Sequence, residues 1–183
     1  MQHVMVPLAD GFEEIEAITV IDILRRAGVR VTIAGVEGTS ATGSHGIRVE
    51  CDAVFAARAC EGADALVLPG GMPGSRRLGE SAQVREAVTR MAAQGRLIGA
   101  ICAAPTVLES CGVLRGKRAT SHPDHAHEMR DCHYEETAVV EDGNLITSRG
   151  AGTSIDFAAA LVRRLAGEDT ARDILARIQY RRG

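Results

Sequence analysis

Short apolar runs alternate along the chain with longer stretches in which apolar residues recur every three or four positions. Residues 3–8 and 65–68 are continuous apolar runs, the pattern of strands buried on both faces. Residues 12–26 carry apolar side chains at 15, 18, 21 and 24, a helical stripe that Gly28 stops. A second strand is predicted over 29–34. The segment 35–52 is rich in Gly, Ser and Thr and alternates at Ile47 and Val49, so it reads as a hairpin excursion. A helix is predicted over 81–94 with Ser81 as its N-cap, followed by a strand over 97–101. Residues 137–140 and 144–147 flank Asp142-Gly143, a hairpin signal, and two helices close the chain over 153–165 and 169–180.

Strands alternating with helices predict an α/β fold with a mostly parallel sheet covered on both faces. Such sheets place ligands in the crevice beyond the carboxyl ends of their strands. Three loops leave those ends here: Ala9-Asp10-Gly11, the segment from Pro69 to Gly74, and the turn at Cys102. They converge if their strands are neighbours.

The turn at Cys102 changes the picture most. An apolar strand runs straight into a helical segment, Ala103-Ala104-Pro105-Thr106-Val107-Leu108, and Ala100 and Ala104 leave room for a tight turn. This is the logic of a nucleophile elbow, a strand-to-helix turn that forces one side chain into the open. A helix N-terminus behind the sulfur is expected to favour thiolate over thiol. Pro105 sits where a missing N–H costs least. A buried, inert cysteine is the alternative.

Gly70 and Gly71 directly follow a buried strand and could leave N–H groups bare for an oxyanion, or form a simple turn. Glu13, Glu14 and Glu16 lie in the first turns of the first helix, where its dipole alone favours acids. Glu16 has the more apolar setting, and a protonated carboxyl there could donate to a thiolate. Spacing does not choose it over Glu13. A cysteine nucleophile usually needs an imidazole from elsewhere in the chain. His122, in Thr120-Ser121-His122-Pro123, competes for that role with His125, His127 and His133.

Composition narrows the partners. The 183 residues suit one domain, 1–183, and a net charge of −3 gives no reason to expect nucleic acid or an anionic membrane. The arginines near the C-terminus, Arg163, Arg164, Arg172, Arg177, Arg181 and Arg182, are read as a solvated helical face. No segment approaches transmembrane length and no leader precedes the first strand, so a cytoplasmic location is expected. Five cysteines without C-x-x-C spacing argue against a disulfide framework or a cysteine zinc cluster. His125 and His127 are spaced to opposite helix faces and H-E-x-x-H is absent, so no metal is expected at His122, Asp124 and their neighbours. Nor does a G-x-G-x-x-G or G-K-[ST] loop appear, and no cofactor is expected.

Five motifs, in order, resemble the DJ-1/ThiJ/PfpI superfamily over nearly the whole chain, nearest its DJ-1 and YajL-like branch. They are Asp10-Gly11-Phe12-Glu13-Glu14-Ile15-Glu16; Leu68-Pro69-Gly70-Gly71; Ala100-Ile101-Cys102-Ala103-Ala104-Pro105-Thr106; Thr120-Ser121-His122-Pro123; and Thr147-Ser148-Arg149-Gly150-Ala151-Gly152-Thr153-Ser154. The resemblance implies a flavodoxin-like three-layer α/β sandwich, usually a homodimer. It implies that Cys102 is the reactive cysteine, Glu16 its carboxyl neighbour and His122 the nearby histidine. Gly71, beside Gly70, and Ala103 would offer N–H groups to a thiolate or oxyanion. Two positions depart from family patterns. Members with peptidase-like sites carry His directly after the cysteine, where Ala103 stands here, which argues against peptidase activity. Close relatives hold an anion with two arginines near the dimer interface; Arg26 matches one and His45 stands in place of the other.

Two functions are then expected in competition. One is cofactor-free conversion of 2-oxoaldehydes, methylglyoxal to lactate, or the removal of such aldehydes from glycated groups. The other is a redox sensor or holdase chaperone in which Cys102 becomes a sulfinate without turnover. An inactive fold is the third possibility.

Overall fold

The computed structural model describes residues 1–181 of the chain; Arg182, counted above with the C-terminal arginines, lies outside them. Its centre is a seven-stranded sheet in the order β10-β11-β7-β6-β1-β2-β5. The strands are β1 (His3–Leu8), β2 (Arg30–Gly35), β5 (Ala53–Val54), β6 (Ala65–Leu68), β7 (Leu97–Ile101), β10 (Val139–Asp142) and β11 (Leu145–Ser148). All neighbours pair parallel except β10 with β11, the hairpin that turns at Gly143. Short ladders outside the sheet join β3 (Ser40–Thr42) to β4 (Arg48–Glu50) and β8 (Arg118–Ala119) to β9 (His133–Tyr134).

Strand alternation divides the core between two faces. Val4, Val6 and Leu8 of β1, with Val67 of β6 and Ile101 of β7, point to one side. There they meet α1 (Glu14–Arg26), α5 (Ser154–Ala166) and α6 (Glu168–Arg177). Met5, Leu66, Leu68, Ile98 and Ala100 point to the other. That side is covered by α2 (Gly74–Glu80), α3 (Ala82–Ala93) and α4 (Pro105–Ser110). The result is the expected three-layer sandwich. Gly99 shows how closely α5 lies on the sheet: a Cβ there would stand 3.0 Å from the Phe157 ring.

Several expectations shift at element ends. The first helix begins at Glu14, not at residue 12, because the Glu13 side chain accepts the Ile15 N–H and acts as the N-cap. Ser81 does cap α3, accepting from the Val84 N–H at 3.4 Å. The last helix ends at Arg177. Arg164, Arg172 and Arg177 are exposed on the late helices, whereas Arg163 is partly covered and pairs with Glu141 and Glu168.

Candidate active site

β1, β6 and β7 are adjacent in the sheet, so their C-terminal loops do converge. The Glu13 N–H donates to the Gly70 carbonyl at 2.9 Å, and the Gly74 N–H to the Gly11 carbonyl at 3.2 Å. Cys102 stands at the end of β7 with φ 64°, in the left-handed region that costs a non-glycine residue strain and marks functional sites. Its backbone is held on both sides. The Cys102 N–H donates to Ser148 O at 2.9 Å, and Cys102 O accepts from the His122 N–H at 2.8 Å. A turn through Ala103 and Ala104 precedes α4, and the Ala104 N–H donates back to Ile101 O at 3.0 Å.

Glu16 reaches this turn from the first turns of α1. It is 1 % exposed, while Glu13 remains partly exposed at the cap, so packing settles the choice that spacing left open. Glu16 Oε2 accepts the Gly70 N–H at 2.9 Å. Oε1 is buried with no oxygen or nitrogen partner, and the carboxyl's remaining hydrogen bond is to the Cys102 side chain. Gly70 has to be glycine. A Cβ there would fall 2.4 Å from Glu16 Oε2 and 2.5 Å from the Cys102 Cβ. Gly71, at φ 91°, and Ala103 turn their N–H groups to the sulfur.

The electrostatics correct one expectation. A thiol favoured as thiolate by the helix behind it is not what the surroundings produce. Burial, then the Glu16 charge and its hydrogen bond, push the Cys102 thiol up to about 12, against the pull of the Gly71 and Ala103 amides. The reason is structural: α4 has six residues and begins three positions beyond the sulfur, so its dipole is small. Burial likewise pushes Glu16 up to about 7, although its hydrogen bonds to Cys102 and Gly70 oppose this. The two acids hold one proton between them over the range that separates those values. When the proton sits on Glu16, its charge no longer opposes the thiolate, and its O–H becomes a donor to sulfur.

His122 is joined to Cys102 through the backbone. Its ring caps the following turn, with Nδ1 accepting the Asp124 N–H at 3.3 Å, which leaves the neutral ring's proton on Nε2. Among the described residues the imidazole makes no hydrogen bond to the sulfur. His125 is nearby, its ring centroid 6.4 Å from that of His122, and is bound to Glu128 at 2.7 Å. His127 and His133 are exposed on the turn and on β9.

The acids not used by the thiol do something else. Glu14 clasps the β3–β4 hairpin: Oε1 accepts the N–H groups of His45 and Ile47, and Oε2 lies 3.0 Å from the His45 ring. With Glu13 these form the one group among the described residues whose ligand atoms, within 4.8 Å of one another, could hold a cation. Its hydrogen bonds account for it without one. Arg26 is drawn to Asp22 at 2.7 Å, so neither Arg26 nor His45 is without a carboxylate partner.

Known proteins carry the same architecture. A dj-1beta protein of Drosophila melanogaster is 42% identical over 173 residues, covering 93% of this chain and 92% of that one. Its crystal structure superposes with a TM-score of 0.95 at 40% identity, covering 99% of both chains. The Parkinson disease protein 7 homolog of Danio rerio is 37% identical, covering 96% and 95%. A protein of Pyrococcus abyssi named as a deglycase is 38% identical, covering 82% and 91%. Residues 2–164 match the DJ-1/PfpI family, and the chain belongs to that family.

Proposed function

We propose that the protein converts reactive 2-oxoaldehydes without a cofactor, with Cys102 as nucleophile and Glu16 as the group that moves protons. The buried pair carries this reading: an otherwise unpartnered Glu16 oxygen beside a thiol whose sulfur faces two amides. With the proton on Glu16, the sulfur adds to the aldehyde carbon C1 of methylglyoxal and a hemithioacetal forms. The Gly71 and Ala103 N–H groups hold the oxyanion. Glu16 gives its proton to that oxygen, then as carboxylate takes the C1 proton and returns it to C2, while the C1 hydroxyl proton passes to the C2 oxygen. C1 is thereby oxidised to a thioester while the C2 ketone is reduced to an alcohol. Water cleaves the thioester, releasing lactic acid and the thiol, so the sum is methylglyoxal plus water giving lactic acid. On a glycated amine or thiol the sulfur would displace that group from C1, the group leaving with the Glu16 proton and the same Cys102 hemithioacetal remaining. A relative named as a deglycase supports this branch. His122, with its ring proton on Nε2, stands ready as a second donor rather than as the base for sulfur.

Purified protein given methylglyoxal without glutathione is expected to form lactate, one molecule for each aldehyde consumed, and Cys102→Ser to form none above the uncatalysed rate. No lactate from the wild type, or equal lactate from the variant, overturns the reading.

The same amides favour a second role, in which Cys102 is held as a sulfinate. Two N–H donors and a protonated Glu16 can each bind a sulfinate oxygen, every charge-assisted bond being worth about 1.5–3 kcal/mol. Mild peroxide should therefore add two oxygens at Cys102 and raise the melting temperature. A sulfinate shown by mass at Cys102 with an unchanged or lower melting temperature would count against it.

A further inference from the structure

Beside the thiol site lies a cleft of about 310 Å³, at the lower edge of the ~300–1,000 Å³ usual for small-molecule sites. Each of its walls continues from one element of the active site. Met72 follows Gly71; Thr106 lies one turn beyond Cys102 and its hydroxyl donates to Ala103 O at 2.7 Å; His125 lies on the turn that His122 opens. None of the three site residues lines the cleft itself.

The cleft has chemically opposite sides. On the α2 side are Ser75 and Arg76. Ser75 is 2 % exposed, and its buried hydroxyl has no hydrogen-bond partner. The Arg76 guanidinium is exposed, and its carboxylate partner, Glu80, is 3.9 Å away, at the limit of an ion pair. This side offers donor capacity: an unpartnered hydroxyl and a guanidinium only loosely held by Glu80. On the facing side are Thr106 and Ser110 of α4, and Glu128. Both hydroxyls donate to backbone carbonyls, Thr106 to Ala103 and Ser110 to Val107 at 2.8 Å; Ser110 also hydrogen-bonds the Cys111 side chain, so Thr106 keeps the freer lone pairs. Glu128 gives Oε1 to His125 at 2.7 Å and has Oε2 uncommitted among the described residues. This side offers acceptor capacity, at Glu128 Oε2 and the Thr106 lone pairs. Met72, 47 % exposed, and Val107 supply apolar surface between them.

We propose that this cleft binds an amino-acid-sized zwitterion. A carboxylate meets Ser75 and Arg76, an ammonium meets Glu128 and the Thr106 hydroxyl, and an aliphatic side chain lies along Met72 and Val107. A buried hydroxyl left unpaired costs free energy that a bound carboxylate would recover. An anion alone would leave the acceptor side unmatched and a cation alone the donor side, so a ligand with both charges gains most. The proposal does not depend on turnover at Cys102.

L-leucine is the probe, with 4-methylpentanoate and 3-methylbutylamine as the two halves of its charge. The histidine ring protons report by proton NMR, since the chain has six histidines and His125 borders the cleft. The His125 signal should move saturably with L-leucine, and each half-charged analogue should bind at least tenfold more weakly. Glu128→Gln should cost the amino acid at least tenfold in affinity while leaving 4-methylpentanoate unchanged. Arg76→Ala should do the reverse, weakening the carboxylate and sparing the amine. Ser75→Ala should weaken L-leucine and retain the melting temperature, because no protein bond is lost. An unmoved His125 signal overturns the proposal. So does binding of either analogue as tight as that of L-leucine, or affinities that neither charge variant changes. Lactate formation is measured in the same samples, so failure of the thiol chemistry and failure of the cleft are read separately.

Discussion

At the level of single residues, the chemistry turns on where one proton sits. Glu16 and Cys102 are buried together, and the pair titrates as a unit in two macroscopic steps. The first proton leaves near 7, the value to which burial raises Glu16. Sulfur becomes nucleophilic to the extent that the remaining proton stays on the carboxyl. Alkylation of Cys102 by iodoacetamide, read by mass spectrometry, should therefore rise through an inflection near pH 7 and then level. In Glu16→Gln that inflection should vanish and reactivity should move to higher pH, since the amide can donate but cannot release a proton. Glu13→Gln should leave the profile in place. A wild-type profile unchanged by Glu16→Gln would mean that the carboxyl does not share the thiol's proton. Stability carries the opposite sign. Glu16 has a folded pKa above its unfolded value of 4.5, so the folded state binds more protons in between. Its contribution to stability is lost as pH rises from about 4.5 through 7, and Glu16→Gln should flatten that decline. The sequence could locate Cys102, because a strand entering a helix leaves little freedom for the residue between them. It could not separate Glu16 from Glu13, since both face the same helix dipole and only burial distinguishes them.

The elements that hold this pair are set by backbone contacts. The β3–β4 hairpin is fastened to α1 through Glu14. Gly43 leaves the space for it, as a Cβ there would fall 2.2 Å from Glu14 Oε1. Burial alone would raise the Glu14 pKa. Hydrogen bonds from the His45 ring and from the N–H groups of Glu14, His45 and Ile47 outweigh it and hold the group down to about 2. A carboxyl depressed below its unfolded 4.5 stabilises above that value, and the stabilisation is lost as pH falls from about 4.5 through 2. Glu14→Gln should lower stability at pH 7 by about 1–3 kcal/mol, the cost of buried donors losing a charged acceptor, and little at pH 2. Denaturant melts at the two pH values measure this; an equal loss at both would show that packing, not charge, fastens the hairpin. Legibility at this scale followed the strength of local signals. β1, β7, the Asp142-Gly143 hairpin and the Ser81 cap are written in periodicity and turn residues. α2 is not. It opens on Gly74 after Pro73 with no side-chain cap, and Leu78 is its one large apolar residue. It is helical because it lies against α3 and α4, a tertiary effect that a local pattern does not contain. β5, β8 and β9 have two residues each and exist through their partners alone.

For the molecule as a whole, one face of α1 is unaccounted for by the monomer. Ile15 and Ile18 are three apart on that helix, and are 56 % and 41 % exposed. Ile47, at 57 %, belongs to the hairpin that Glu14 fastens to the start of the same helix. Scattered apolar side chains on a surface are ordinary, but three isoleucines on two joined elements form a patch of the kind that marks an interface. A two-fold interface is self-complementary, so a patch on α1 would face its own copy. Such an interface would bear on the thiol site, because the helix that carries the patch also carries Glu16. Dissociation would free α1 on its outer side while its inner side positions the carboxyl against Cys102. The wild type should therefore sediment at twice the monomer mass. Ile18→Asp combined with Ile47→Asp places charge in the patch without touching the core and should yield monomers. The monomers should lose the pH 7 inflection in Cys102 alkylation before they lose secondary structure on warming, since the proton-sharing pair needs a fixed α1 more than the sheet does. Sedimentation of the variant as a stable dimer would remove the patch from the interface, and a monomer with an intact inflection would uncouple the interface from the site.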